Sequence, residues 1–195
     1  TVLLPSPKTK KDQNFSTIEL GKTFYDLQTN ASPGRRIILH ADGTISAVWT
    51  GSPDAGTGYP GRGTGYNYND GTEWYASRSE RIEPAGDDFR TGWPSIMLLD
   101  DGTELVMAHY STGGGFIASQ NDAKGSLNFT STPRLDDETV VNVNRVPIWN
   151  RSVASNDKIH TISNYWFNED ANVPLVTRNG VASPTTYSRW SVSGD

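Results

Sequence analysis

The sequence predicts an all-β chain assembled from repeated four-stranded antiparallel units. Three observations carry that expectation. The 195 residues include 19 glycines, 11 prolines, six tryptophans and eight tyrosines but only two methionines, and long Leu/Ala/Glu/Lys stretches are missing, a balance that favours strands and turns over helices. Asp-Gly pairs stand between apolar runs, the strongest short-range signal for a tight hairpin. The same run-turn-run grammar then recurs along the chain at a nearly constant interval.

The first copy is Ile37-Ile38-Leu39-His40-Ala41-Asp42-Gly43-Thr44-Ile45-Ser46-Ala47-Val48-Trp49. Aspartate and glycine tolerate the backbone angles of a tight turn, so residues on either side of Asp42-Gly43 form an antiparallel pair. The second copy runs from Ser95 through Asp100-Asp101-Gly102-Thr103 to Tyr110, with Asp101 59 positions after Asp42. A weaker third copy follows, from Val146-Pro147-Ile148-Trp149 through Ser155-Asn156-Asp157-Lys158 to Ile162. Each pair is followed by a second hairpin-like stretch: Gly61 to Trp74, Gly115 to Phe129, and Pro174-Leu175-Val176-Thr177-Arg178-Asn179-Gly180 leading to Tyr187-Ser188-Arg189-Trp190.

Four strands in each 55 to 59 residues, with an aromatic closing each unit, is the grammar of a β-propeller, and about three blades are present. An antiparallel β-sandwich is the alternative, since its strands also recur at short intervals, but it does not predict a repeat of four-strand units. The expected organisation is an N-terminal arm or linker over 1–19 and blades over about 20–84, 85–140 and 141–195. Thr23 to Gln28 adds one further strand without a hairpin partner. Propellers usually close with four to eight blades. Further blades are therefore expected, first from a continuation past Asp195 and otherwise from a second copy; a fold that is not a closed propeller is the remaining alternative.

The charge balance narrows the partners. Asp plus Glu (22) exceed Lys plus Arg (17), a net charge of -5, and the only dense basic run is Lys8 to Lys11; a nucleic-acid partner is not expected. There is no cysteine, which removes disulfides and thiol chemistry. No apolar run approaches the roughly 18 residues of a membrane span.

At Arg90-Thr91-Gly92-Trp93-Pro94-Ser95-Ile96-Met97-Leu98-Leu99-Asp100-Asp101-Gly102-Thr103, and more closely at Asn144-Arg145-Val146-Pro147-Ile148, the chain resembles the sialidase-like (Asp-box) propeller superfamily. The Asp-box itself, Ser-x-Asp-x-Gly-x-Thr-Trp, is present only in decayed form at Asp70-Gly71-Thr72-Glu73-Trp74 and between Ser119 and Phe129. A second resemblance covers roughly residues 20 to 75. Leu20-Gly21-Lys22-Thr23-Phe24-Tyr25-Asp26-Leu27, Arg36-Ile37-Ile38 and Arg62-Gly63-Thr64-Gly65-Tyr66-Asn67-Tyr68 look like the first blade of propellers exported by Bacteroidetes-type bacteria through type IX secretion. That likeness implies an extracellular or cell-surface location in a Gram-negative bacterium.

The resemblance implies that a true sialidase holds its substrate carboxylate with three arginines and uses an aspartate acid/base and a Glu-activated tyrosine, because forked guanidinium donors match a carboxylate. Arg90 and Arg145 stand at blade-opening positions, where a brace between neighbouring blades is the alternative role. The aromatic, glycine-rich loop from Gly56 to Trp74 is the most suggestive surface. Arg62, Tyr66, Tyr68 and Trp74 together suit a sugar ring, which stacks on aromatic faces; packing between blades is the alternative for the three rings. The carboxylate runs Asp87-Asp88, Asp100-Asp101 and Asp136-Asp137-Glu138 have no calcium-loop signature and read as solvated turns. His40, His109 and His160 share no metal-binding spacing and border strands. Neither metal nor cofactor is expected. The sequence thus points to a secreted or surface propeller, non-enzymatic, that binds a glycan or protein partner. A glycoside hydrolase of sialidase-like fold with its catalytic half outside these residues, and a structural part of a surface assembly, are the alternatives.

Overall fold

A computed structural model describes residues 17–25, 27–28, 34–86, 89–111, 115–135, 145–167 and 185–191. The Lys8 to Lys11 run, the carboxylates at 87–88 and 136–138, and the expected strand at 174–177 lie outside those residues. The chain is all-β: ten strands in three antiparallel sheets, with no α-helix among the described residues. Within each sheet, strands that follow one another in sequence are neighbours in space.

The N-terminal sheet consists of β1 (Ile37–Leu39), β2 (Ile45–Gly51) and β3 (Gly63–Asn69). The central sheet has four strands, β4 (Thr91–Leu98), β5 (Glu104–Tyr110), β6 (Phe116–Asn121) and β7 (Phe129–Leu135). The C-terminal sheet contains β8 (Arg145–Ser155), β9 (Lys158–Phe167) and β10 (Thr185–Ser191).

The expected repeat is visible at the level of single hydrogen bonds. In the first turn His40 N donates to Thr44 O (2.9 Å) and Gly43 N to His40 O (3.0 Å); in the second, Leu99 N donates to Thr103 O (2.9 Å) and Gly102 N to Leu99 O (2.9 Å). Asp42 Oδ1 accepts from Thr44 N (3.1 Å), and Asp101 Oδ1 from Thr103 N (2.8 Å). Gly43 and Gly102 adopt φ of 86° and 85°, the left-handed region that glycine enters without steric cost. The third turn uses Asn156 and Asp157, at φ 52° and 53°, residue types that tolerate that region better than most. Asp70 closes the turn after β3 in the same manner, accepting from Thr72 N (2.8 Å) and Glu73 N (3.0 Å).

Two expected strands take other forms. Thr23 to Gln28 is not a paired strand in its described residues. Phe24 N bonds Ser52 O (3.0 Å), while the side chains of Thr23 and Gln28 are drawn onto the backbone of β2 at Thr50, so side-chain bonds replace a ladder. After β3 the first unit has only an isolated bridge, Asn69 with Trp74, and then a parallel bridge between Gly21 and Arg78.

The sheets stack face to face with the central one in the middle, and period-2 alternation divides its side chains between two cores. Ile96 and Val106 face the N-terminal sheet and pack with Ile38, Val48, Tyr66 and Tyr68. Met97, Leu105, Met107, Phe116 and Ala118 face the C-terminal sheet, meeting Ile159 and Trp190. The sulfur of Met107 accepts hydrogen bonds from Ser152 Oγ (3.1 Å) and Thr161 Oγ1 (3.3 Å) of the C-terminal sheet. The leading strands of the sheets lie together: Ile96 N donates to Arg35 O (2.9 Å), just before β1, and β4 packs along β8.

Candidate functional site

β4 and β8 begin in the same irregular way. In β4 the pairing with β5 slips between Gly92 and Ser95, and in β8 the pairing with β9 slips between Ile148 and Arg151. Each slip is a β-bulge, which places two residues opposite one and re-aims side chains. The first bulged residue is a tryptophan in both cases, Trp93 at φ 50° and Trp149 at φ 53°. A bulky residue in the left-handed region is an outlier that the surrounding structure must hold in place, and such outliers concentrate at functional sites. Pro94 occupies the second position of the β4 bulge, where a missing N–H removes no ladder bond.

Around these bulges aromatic rings and guanidinium groups interleave. The Arg62 guanidinium carbon lies 4.8 Å from the Tyr25 ring centroid and 5.3 Å from that of Trp93, within cation–π range. Its Nε donates to Thr91 O (2.8 Å) and its Nη2 bonds Ser111 Oγ. Tyr25 meets the edges of Tyr59 (5.2 Å) and Trp93 (5.8 Å), and Trp93 stacks on His109 at 5.1 Å. Trp149 N donates to His109 Nδ1 (3.3 Å), which leaves the imidazole proton on Nε2, and Arg151 Nη1 donates to Trp149 O (2.9 Å). Arg36 reaches the same network through Gln28, donating to its Oε1 (3.2 Å) and backbone O (3.0 Å).

Positive charge here is not balanced by described carboxylates. The ion pairs among the described residues are Lys22–Glu19, His40–Glu104, Arg78–Glu80 and Lys124–Asp42, and none involves Arg35, Arg36, Arg62, Arg90 or Arg151. Burial lowers the pKa of Arg62, and Arg90 nearby lowers it further. Burial, with Arg151 close by, brings Arg36 down to about 10. Two buried donors, Arg36 Nε and Trp93 Nε1, have no hydrogen-bond acceptor among the described residues. An unsatisfied buried donor costs about 1–3 kcal/mol, and in a native structure it calls for a partner.

His109 is the most perturbed base in the cluster. Burial first, and the charges of Arg62 and Arg151 second, hold its imidazole down to about 3, from an ordinary 6.5. The unfolded chain takes up that proton below about 6.5 and the folded chain does not until about 3, so the unfolded state binds more protons throughout the interval. Stability therefore falls as pH falls through it, by up to about 1.4 kcal/mol per pH unit. Between pH 6 and 5, above most carboxylate titration, urea midpoints are expected to drop, and His109→Phe, which keeps a ring against Trp93, to flatten that drop. An equally steep loss in the variant contradicts this assignment.

The residues expected from sequence separate in space. Arg62 sits at the centre of the cluster, buried. Arg90, half-buried, reaches the neighbouring loop, its Nε donating to Tyr59 O (3.0 Å) and its Nη2 bonding Gly58 O. Arg145 pairs with Phe167 at the start of β8. Tyr66 and Tyr68 lie inside the core between the N-terminal and central sheets. Trp74, half-buried, closes the isolated bridge to Asn69. Tyr25, Trp93, His109, Trp149 and Arg151 were not singled out by the motifs. A usable signal existed for the two tryptophans, which stand 56 positions apart, one repeat length.

The other histidines serve different environments. His40 is buried, with Nε2 2.9 Å from Ser46 Oγ and 3.1 Å from Glu104 Oε1. His160 Nδ1 lies 2.7 Å from Tyr187 Oη on the outer face of the C-terminal sheet. Among the described residues, no group of three or more His, Cys, Asp or Glu is arranged to hold a metal ion. No helix among them is long and apolar enough to cross a membrane.

No protein-family model matches the chain, and no curated protein matches it. Among solved structures, it is similar to a polysaccharide lyase of family PL25, an ulvan lyase bound to -[GlcA(1-4)Rha3S]-. The identity is 11%, the TM-score 0.50, and the match covers 80% of this chain and 38% of that one. At that identity the likeness is one of fold, and the chain spans well under half of the lyase's length.

Proposed function

We propose that the three sheets are consecutive blades of a propeller and that the chain binds a glycan where the leading strands begin, acting by binding rather than catalysis. The observation that carries this reading is the convergence of Trp93 and Trp149, in matching left-handed bulges, on a set of arginines. Sugar rings stack on aromatic faces while guanidinium donors fix oxygen positions. Arg36, Tyr59, Arg90, Trp149 and Arg151 are partly exposed members of the cluster, and they are its contact surface for ligand.

The blade arrangement is supported by the meander order of each sheet, by the face-to-face stack, and by the leading strands lying together. The outer sheets also leave apolar side chains uncovered: Ile37 and Leu39 on one side, Val153, Ile162 and Tyr187 on the other. A further blade, expected from the sequence, suits the first of those faces. The fold neighbour is a protein bound to a polysaccharide, which favours a glycan over a protein partner. Export from a Gram-negative bacterium follows from the likeness of residues 20 to 75 to secreted propellers; detection of the protein in the culture supernatant or on intact cells tests it.

The binding reading is tested by a glycan array followed by calorimetry on the folded chain. Trp149→Ala and Arg90→Ala are each expected to weaken binding about tenfold or more, equivalent to about 1.4 kcal/mol. Absence of any bound glycan, or affinities unchanged in both variants, contradicts the proposal. Turnover of a bound polysaccharide by the wild-type chain replaces binding with an enzymatic reading.

A further inference from the structure

A cleft of about 370 Å³ opens beside the cluster, between the entry to β1 and the outer face of the C-terminal sheet. Gly34 and Arg35 form one wall; Arg151, Ser152, Val153, His160, Ile162 and Tyr187 form the other. The walls come from opposite ends of the chain and are joined through the central sheet. A Cβ at Gly34 would lie 3.0 Å from Ser95 Cβ, so glycine lets this segment press onto β4, and Ile96 N fixes Arg35 O at 2.9 Å. Arg35 is thereby held at the cleft by its backbone while its side chain stays exposed.

The chemistry of the walls is uneven. Arg151, in the β8 bulge, uses Nη1 on the carbonyls of Trp149 (2.9 Å) and Asn150 (3.2 Å), and the other nitrogens of its guanidinium make no hydrogen bond with described residues. Arg35 has no carboxylate partner among the described residues, and neither does Arg36, whose Nε is a buried donor without an acceptor. Arg36 and Arg151 are close enough that the charge of one weakens the other's hold on its proton. A chain of net charge -5 thus sets two guanidiniums that have no carboxylate partner among the described residues, Arg35 and Arg151, on the walls of one cleft, with Arg36 close to Arg151, an arrangement that repulsion disfavours unless an anion enters. On the same wall as Arg151, Tyr187 stacks on His160 at 6.0 Å and meets its Nδ1 at 2.7 Å, giving a ring surface with a polar edge.

We infer that this cleft is an anion-binding subsite that takes a carboxylate- or sulfate-bearing sugar unit between Arg35 and Arg151. The inference rests on the glycan-binding reading and gives it a ligand class. Arg forks bind carboxylate and sulfate oxygens in the same planar geometry, so the two sources are separated by probe.

Binding of the 195-residue chain to polygalacturonate, dextran sulfate and neutral dextran is compared at about 50 mM and about 500 mM NaCl, a range over which screening shortens from about 14 Å to about 4 Å. At least one polyanion is expected to bind ten times or more tighter than dextran, to weaken with salt, and to lose about tenfold in Arg35→Gln and in Arg151→Gln but not in Lys22→Gln. Polygalacturonate alone identifies a carboxylate site, dextran sulfate alone a sulfate site. Arg35 is exposed, so Arg35→Gln preserves the fold even if Arg151→Gln does not. Equal binding of dextran overturns the acidic class and leaves the glycan reading standing. Polyanion binding that ignores both arginine substitutions overturns the location. Failure of all three polymers overturns the subsite, and it overturns the glycan reading as well only if the array is also blank. Self-association lost in Ile162→Asp, with no response to polyanions, assigns the face to sheet packing instead.

Discussion

Glu104→Ala is expected to destabilise the protein by about 3–5 kcal/mol, the range seen when one partner of a buried charged network is removed. The Glu104 carboxylate is fully buried between the N-terminal and central sheets. It accepts from Tyr66 Oη (2.8 Å), Asn121 Nδ2 (2.8 Å) and Ser46 Oγ, with His40 Nε2 at 3.1 Å. Burial pushes the Tyr66 phenol up, so it remains a donor at all ordinary pH values. Truncation leaves these donors facing a cavity that has no acceptor. Glu104→Gln retains the volume and one acceptor oxygen but turns a donor toward Asn121 and Tyr66, and an intermediate loss of about 1–3 kcal/mol follows. Urea denaturation with an unchanged m-value measures both. A loss under about 0.5 kcal/mol for the alanine variant, typical of surface substitutions, contradicts this role.

Phe116→Ala is expected to cost a similar amount, about 3–5 kcal/mol, by a different mechanism. Phe116 has no exposed surface and joins Met97, Leu105 and Met107 on the central sheet to Ile159 on the C-terminal sheet. Its ring meets Trp190 edge-on at 5.8 Å. Removing it opens a cavity where two sheets interlock, and the bulk of each sheet prevents collapse. Because Trp190 loses its partner ring, the unfolding transition is expected to show altered tryptophan emission as well as a lower midpoint. Unaltered stability indicates that the two sheets are not held by this core.

These two substitutions also mark what was legible in the sequence. The hairpins were, because an Asp-Gly turn between apolar runs is a local signal: Asp42 and Asp101 make the turn bonds that their spacing implies. Glu104 was not. It follows the second turn as an ordinary charged residue, and the groups that satisfy it come from β2, β3, β6 and the end of β1, far away in sequence. Tyr66 and Tyr68 share a face by their period of two, which the sequence does give. Which neighbouring sheet covers that face is a tertiary fact, and the covering by Ile96, Val106 and Phe129 takes both rings out of contact with ligand. The fourth strand of the first unit was expected as a regular element; Trp74 forms only a bridge there. The bulges escaped because their signature is a register slip, not a residue pattern, although equal spacing of Trp93 and Trp149 within the repeat pointed to them.

The placement of the contact surface at Trp149 can be read directly from the indole N–H resonances, since each of the six tryptophans contributes its own signal. In a titration of the isotope-labelled chain with a glycan selected on the array, the Trp149 and Trp93 signals are expected to shift in a saturable, concentration-dependent way. Trp190, packed against Phe116 in the far core, is predicted to stay in place. Saturable shifts confined to Trp74 or Trp190, with Trp93 and Trp149 unmoved, contradict it.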